Sequence, residues 1–161
     1  MSTALYLGIA GSVVLLIIIL VVVMMMYGKK VIPSSVTAPS TGSIKITELI
    51  SPNGKYKMVQ QQDANVVIYD LQNNSPVWSS ASVGLSQCNP VNSCNYELKF
   101  QDDCNLVTYA EGKNFSSWSA AAKNWQPNKN GVNQRPCVLK MQDDRNLVIY
   151  NKNNEVVWGA L

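Results

Sequence analysis

The 161-residue sequence contains no histidine. That absence excludes nucleophiles activated by an imidazole base, Ser-His-Asp and Cys-His alike, and it removes the histidine ligands of metal sites. Charge is scarce as well: 14% of residues are Asp, Glu, Lys or Arg, and residues 4–27 carry none. Lys29 and Lys30 supply two of the 13 basic residues, which leaves 11 basic against 10 acidic side chains beyond them. A domain so close to neutral has no electrostatic footprint for nucleic acid. No Cys-x-x-Cys occurs among the four cysteines, so a zinc site is not expected. Asp102-Asp103 and Asp143-Asp144 are adjacent carboxylates, but strand alternation sends neighbours to opposite faces, so neither doublet can act as a catalytic pair. These absences point to a protein that is not an enzyme and needs no metal or cofactor.

The uncharged run, ALYLGIAGSVVLLIIILVVVMMMY over residues 4–27, is long enough for a helix of roughly 36 Å, which spans a bilayer core with some tilt. Tyr6 and Tyr27 suit the two aromatic belts of the membrane interface. A cleaved leader is disfavoured, because Met1-Ser2-Thr3 carries no basic side chain and no small-residue cleavage site follows. Residues 1–30 are therefore expected to be a single transmembrane helix in contact with the lipid bilayer. Ala4, Gly8 and Ser12 form a row of small residues that would let two such helices approach closely. Residues 31–43, VIPSSVTAPSTGS, lack alternation and read as a tether reaching at most roughly 40 Å. The remaining chain, residues 44–161, suffices for one domain.

That domain repeats itself. Gln61-x-Asp63-x-Asn65-x-Val67-x-Tyr69 recurs as Gln101-x-Asp103-x-Asn105-x-Val107-x-Tyr109 and again as Gln142-x-Asp144-x-Asn146-x-Val148-x-Tyr150. A tryptophan follows each copy, at Trp78, Trp118 and Trp158. Side chains alternate along a strand, so the five motif residues of each copy should share an outward face. The residues between them (Val66 and Ile68, Leu106 and Thr108, Leu147 and Ile149) should then face the core. Turn signals at Pro52-Asn53-Gly54, Asn73-Asn74, Glu111-Gly112 and Asn153-Asn154 punctuate the strands. The rhythm predicts an all-β domain with about four strands per repeat.

QQDANVVIY, QDDCNLVTY and QDDRNLVIY resemble the bulb-type, mannose-specific lectins of monocot plants and their relatives. The resemblance covers about residues 44–161. It implies a β-prism II, three four-stranded sheets about a pseudo-threefold axis, with the three tryptophans packed at its centre. It also implies one shallow mannose pocket per motif. Asp and Asn would hold the axial 2-hydroxyl, Gln the 3-hydroxyl and Tyr the 4-hydroxyl, with Val against the C3–C4 edge. A hydroxyl donates and accepts, so a carboxylate beside an amide reads it well, and no metal is required. Trp78 to Gln101 and Trp118 to Gln142 are longer separations than the family's compact form has, which places extra loops around 84–95 and 119–136. Only three residues follow Trp158, little for the strand exchange that many family dimers use.

The resemblance further implies a Cys104–Cys137 disulfide, and Cys88 and Cys94 would then close the inserted loop CNPVNSC; the alternative is four free thiols. Disulfides, with the sequons Asn73-Asn74-Ser75 and Asn114-Phe115-Ser116, suggest an extracytoplasmic domain. Lys29 and Lys30 argue the other way, since the positive-inside rule keeps the side they occupy in the cytosol. Two functions follow. One is a membrane-anchored lectin for mannose-type glycans. The other is a structural protein that keeps the motif as scaffold and docks on coat or capsid proteins, as in a virion with an internal membrane.

Overall fold

The structure, a computed structural model, describes residues 14–19, 30–82, 88, 90, 93–120 and 135–161. The chain divides into two compact units between Val31 and Ile32. In the first, residues 14–19 are helical and their apolar side chains are exposed. Among the described residues no helix is long and apolar enough to cross a membrane. The rest of the expected span, with the Ala4, Gly8 and Ser12 row, lies outside the described residues.

The second unit is all β. Its described strands are β1 (Ser35–Thr37), β2 (Ser43–Ile46), β3 (Glu48–Ile50), β4 (Tyr56–Gln60), β5 (Val66–Asp70), β6 (Ser75–Ser79), β7 (Tyr96–Gln101), β8 (Leu106–Ala110), β9 (Ser116–Ser119), β10 (Val138–Met141), β11 (Leu147–Tyr150) and β12 (Val156–Gly159). They form three four-stranded sheets in the orders β3-β4-β5-β6, β2-β7-β8-β9 and β1-β10-β11-β12. Neighbouring strands in all three are antiparallel. This is the three-sheet arrangement that the resemblance implies.

The segment before the first repeat departs from expectation. Each sheet has four strands, and the first of each comes from residues 35–50, which lend β1, β2 and β3 to three different sheets in turn. Residues 31–43 are therefore not a free tether, because β1 pairs with β10 from Ser35↔Lys140 to Thr37↔Val138. The hydrogen bonds Met141 N–H to Ser34 O (2.8 Å) and Ala38 N–H to Cys137 O (2.8 Å) extend that ladder at both ends. An edge strand of three residues turns a single side chain, Val36, inward, which is too short a run to show a period, and it tolerates flanking prolines.

The core is a set of matched rungs. Leu49, Met58, Ile68 and Trp78 stand opposite one another across the first sheet. Ile46, Leu98, Thr108 and Trp118 do so across the second. Val36, Leu139, Ile149 and Trp158 complete the third. All but Val36 and the tryptophans are buried. Each rung ends at a bulge: the register shifts at Ile68/Tyr69, Thr108/Tyr109 and Ile149/Tyr150, so Val77, Ser117 and Val157 are the extra residues. A bulge re-aims the next side chain. Here it turns each tryptophan towards its two counterparts, at ring-centroid separations of 6.0–6.1 Å and interplanar angles of 69–75°. Edge-to-face packing sets the positive ring edge of one indole against the negative face of the next.

The pseudo-threefold core has one polar defect. Phe100 and Met141 occupy equivalent places opposite Leu106 and Leu147, but Gln60 stands there opposite Val66. Its Oε1 accepts from Thr108 Oγ1 (3.1 Å), and Thr108 is itself the one hydroxyl among the rung positions. The two polar exceptions thus satisfy each other, which avoids the cost of an unpaired buried group. Both expected disulfides are present, Cys104–Cys137 and Cys88–Cys94. Cys88 is buried with Ala64, Tyr96 and Ala110, so the described part of the insertion packs beside the first motif. Most of the two expected extra loops lies outside the described residues.

Because the three indoles close the core together, Trp118→Ala should destabilise the fold by about 3 kcal/mol, while Trp118→Phe should cost less. Urea titration followed by far-UV circular dichroism checks this. A loss under about 0.5 kcal/mol, the usual range for surface substitutions, would contradict the packing role.

Candidate functional site

In each copy the motif does not run straight along one strand. Gln61 and Asp63 lie in the turn between β4 and β5, and only Val67 and Tyr69 lie within β5. Gln61 N–H donates to Asn65 O (2.8 Å), Gln101 N–H to Asn105 O (2.9 Å) and Gln142 N–H to Asn146 O (2.9 Å). Each pair closes a three-residue hairpin loop. Its last residue is left-handed: Ala64 at φ 76°, Cys104 at φ 68° and Arg145 at φ 68°. This is the turn plus left-handed residue common in three-residue hairpins. The motif residues share a face because the hairpin folds Gln back over the strand, not through strand alternation. In each copy Gln Nε2 donates to Tyr Oη, at 2.8 Å for Gln61–Tyr69, 3.3 Å for Gln101–Tyr109 and 2.8 Å for Gln142–Tyr150.

The Asp carboxylate builds the corner. Its Oδ1 accepts the N–H of the Asn two residues on, at 3.0 Å for Asp63–Asn65, 2.9 Å for Asp103–Asn105 and 3.0 Å for Asp144–Asn146. This leaves Oδ2 as an acceptor without a partner among the described residues. The neighbouring carboxylates have other work: Asp102 Oδ2 accepts Gly42 N–H (3.0 Å) and Asp143 Oδ1 accepts Asn53 N–H (2.9 Å). These bonds tie the second and third motif turns to a neighbouring segment and give the paired acids different partners, although the pairs lie in turns and not on a strand whose alternation would separate them.

The Asn side chain is fixed by the last strand of its sheet. Asn65 Oδ1 accepts from Ser79 Oγ (3.0 Å) and Ser80 Oγ (2.9 Å), and Asn105 Oδ1 from Ser119 Oγ (3.1 Å). With the amide oxygen occupied, Nδ2 is the end left available, and among the described residues it has no partner at Asn65 or Asn105. The third copy differs. Gly159 stands where Ser79 and Ser119 stand, opposite Val148. Asn146 Oδ1 accepts Ala160 N–H (3.1 Å) and Leu161 N–H (3.0 Å) instead, and its Nδ2 donates to Leu161 O (3.3 Å). The third amide donor is thus engaged within the chain.

The motif valines deviate from the expected open contact. Val67, Val107 and Val148 are each only 3% exposed and form a covered floor. Sequence reasoning missed the serines that orient the amides. Their signal is the Trp-Ser step at 78–79 and 118–119, which becomes Trp-Gly at 158–159.

Cations line the Tyr end of two notches. Lys99 Nζ lies 5.6 Å from the centre of the Tyr109 ring, and Lys140 Nζ lies 5.2 Å from that of Tyr150. Lys45 and Lys99 both reach Glu97, at 2.8 and 2.9 Å. Hydrogen bonds from these two lysines hold the Glu97 carboxyl below the usual carboxylate range, and the Glu97 bond raises Lys45. Among the described residues no cluster of His, Cys, Asp or Glu could hold a metal ion. The first two notches offer a carboxylate acceptor, an amide donor, a glutamine and a phenol, all uncharged apart from the Asp; in the third the amide donor is already engaged. That set suits a polyhydroxylated ligand.

If the left-handed corner is a strained position for any side chain with a Cβ, Arg145→Gly should stabilise the domain by about 0.5–1 kcal/mol, because Arg145 is exposed and has only its backbone to lose. Thermal or urea melts measure this directly. A destabilisation would contradict the reading of the turn.

No protein-family model matches this chain. The B-type lectin plumieribetin of Scorpaena plumieri is 34% identical over 112 residues, 70% of this chain and 81% of that protein. A mannose-specific lectin of Narcissus tazetta is 37% identical over 72 residues, 42% of this chain, and the match spans 45% of the narcissus protein. Among solved structures, a monomeric monocot mannose-binding lectin from Gastrodia elata superposes with a TM-score of 0.56 at 29% identity, over 79% of this chain and 96% of that one.

Proposed function

Because this chain belongs to the bulb-type (B-type) lectin family, we propose that it binds mannose-type glycans without catalysis, through its three Gln-x-Asp-x-Asn-x-Val-x-Tyr notches, while residues 4–27 hold it in a membrane. The observation that carries the reading is the orientation of the motif amides. In the first two notches serine hydroxyls occupy Asn Oδ1, so an Nδ2 donor and an Asp Oδ2 acceptor, both without a partner among the described residues, belong to the same turn. A hydroxyl that must donate and accept at once is the ligand such a pair suits. An axial 2-hydroxyl, as in mannose, is the proposed one. Gln Oε1 and the Tyr hydroxyl remain to take the 3- and 4-hydroxyls. Two mannose-recognising relatives and the intact motif support this.

The notches are not equivalent. Asn146 already donates to Leu161 O, so the third must break a bond before it can bind. Shallow, water-exposed hydrogen bonds give a dissociation constant on the order of millimolar for one notch. Anchored copies sharing a bilayer raise the effective concentration and make such sites useful together. The two disulfides support an extracytoplasmic domain, against the weight of Lys29 and Lys30.

Calorimetric titration of the full chain in a zwitterionic detergent, free of sugar headgroups, tests the reading. Mannose should bind with a constant around millimolar and galactose should not. Asn65→Ala with Asn105→Ala should remove most of the binding, and Asn146→Ala alone should remove little. A folded protein that binds no mannose would instead favour the structural reading, in which the domain docks on coat or capsid proteins. Membrane pellets washed at high pH should retain the full chain, whereas release into the supernatant would exclude the anchor.

A further inference from the structure

The geometry points to a second notch that takes a mannose-type sugar bearing an anionic ester on its 6-position, a refinement that rests on the mannose reading above. A depression of about 450 Å³ extends from Gln101 and Tyr109 onto the β8–β9 turn, where Lys113 and Asn114 stand, with Lys99 and Ser43 on the strand side. That volume lies within the range of small-ligand clefts. It exceeds what the hydrogen-bonding motif alone lines, and its added wall is cationic.

The charges have a definite arrangement. Glu97 is shared between Lys45 (2.8 Å) and Lys99 (2.9 Å), so one carboxylate faces two ammonium groups. Lys113 adds a third cation, and Glu111 on the same turn is exposed. At the Tyr109 end Lys45, Lys99 and Lys113 outnumber Glu97 and Glu111, while the carboxylates of Asp102 and Asp103 belong to the motif turn. In the first repeat Asn73 holds the place of Lys113, and Val59, opposite Val67, holds that of Lys99, opposite Val107. The orientation of the sugar agrees with this placement. With Gln101 on the 3-hydroxyl and Tyr109 on the 4-hydroxyl, the C6 arm, one ring carbon further on, projects past Tyr109 towards the lysines. A phosphate or sulfate ester there would receive charge-assisted hydrogen bonds from the ammonium groups.

The test compares mannose, mannose 6-phosphate and inorganic phosphate on the full chain in zwitterionic micelles, at low and high salt. Mannose 6-phosphate should bind about fivefold tighter than mannose at low salt, as one or two exposed ion pairs allow. The advantage should vanish at high salt. Lys113→Gln should reduce the advantage and leave the affinity for mannose itself unchanged. Equal or weaker binding of mannose 6-phosphate would overturn the proposal and leave the lectin reading standing, as would an advantage that survives Lys113→Gln. Inorganic phosphate binding as tightly as mannose 6-phosphate would reduce the depression to a plain anion site and also overturn it. If neither sugar binds, the lectin reading fails first.

Discussion

Each notch depends on one short contact, the hydrogen bond from the backbone N–H of Asn65, Asn105 or Asn146 to the carboxylate two residues before it. It fixes the corner between two strands and admits a left-handed residue at the position between them. Once the corner is set, Gln folds back within reach of the Tyr hydroxyl and the Asn amide meets the last strand of the sheet. The same Asp that makes the turn leaves its Oδ2 without a partner among the described residues. On the proposed reading scaffold and recognition share this side chain, so replacing it would damage both.

Beneath the corners lies the second constraint, the indole triplet. The bulge after Ile68, Thr108 and Ile149 rotates each tryptophan inward. Three sheets that could otherwise slide past one another share one aromatic contact on their common axis. The strands lent by residues 35–50 wind from sheet to sheet and bind the three repeats through backbone hydrogen bonds.

Much of this was legible before the structure was considered. Five motif positions in triplicate specified an all-β domain and its inward residues, and the resemblance supplied the three sheets, the central tryptophans and the Cys104–Cys137 pairing. The segment 31–43 was not legible, because a three-residue edge strand with one inward side chain, Val36, is too short to show a period. That the second and third sheets take a strand from this leading segment is equally absent from the periodicity. The period of two from Gln61 to Tyr69 suggested a continuous strand, although its first half is a hairpin turn whose residues meet Tyr69 by folding back. The inequality of the three notches rests on one small difference, Gly159 in place of a serine, whose consequence appears only when the opposing Asn146 is seen.

The central claim is that the free amide nitrogens of Asn65 and Asn105 read a sugar hydroxyl. Side-chain amide resonances of the ¹⁵N-labelled chain, followed by NMR during addition of methyl α-mannoside, observe those atoms directly. The account predicts saturable shifts at Asn65 and Asn105, a smaller response at Asn146, and none with methyl α-galactoside. Amide resonances that stay in place while mannoside binds, or that respond equally to galactoside, would contradict it.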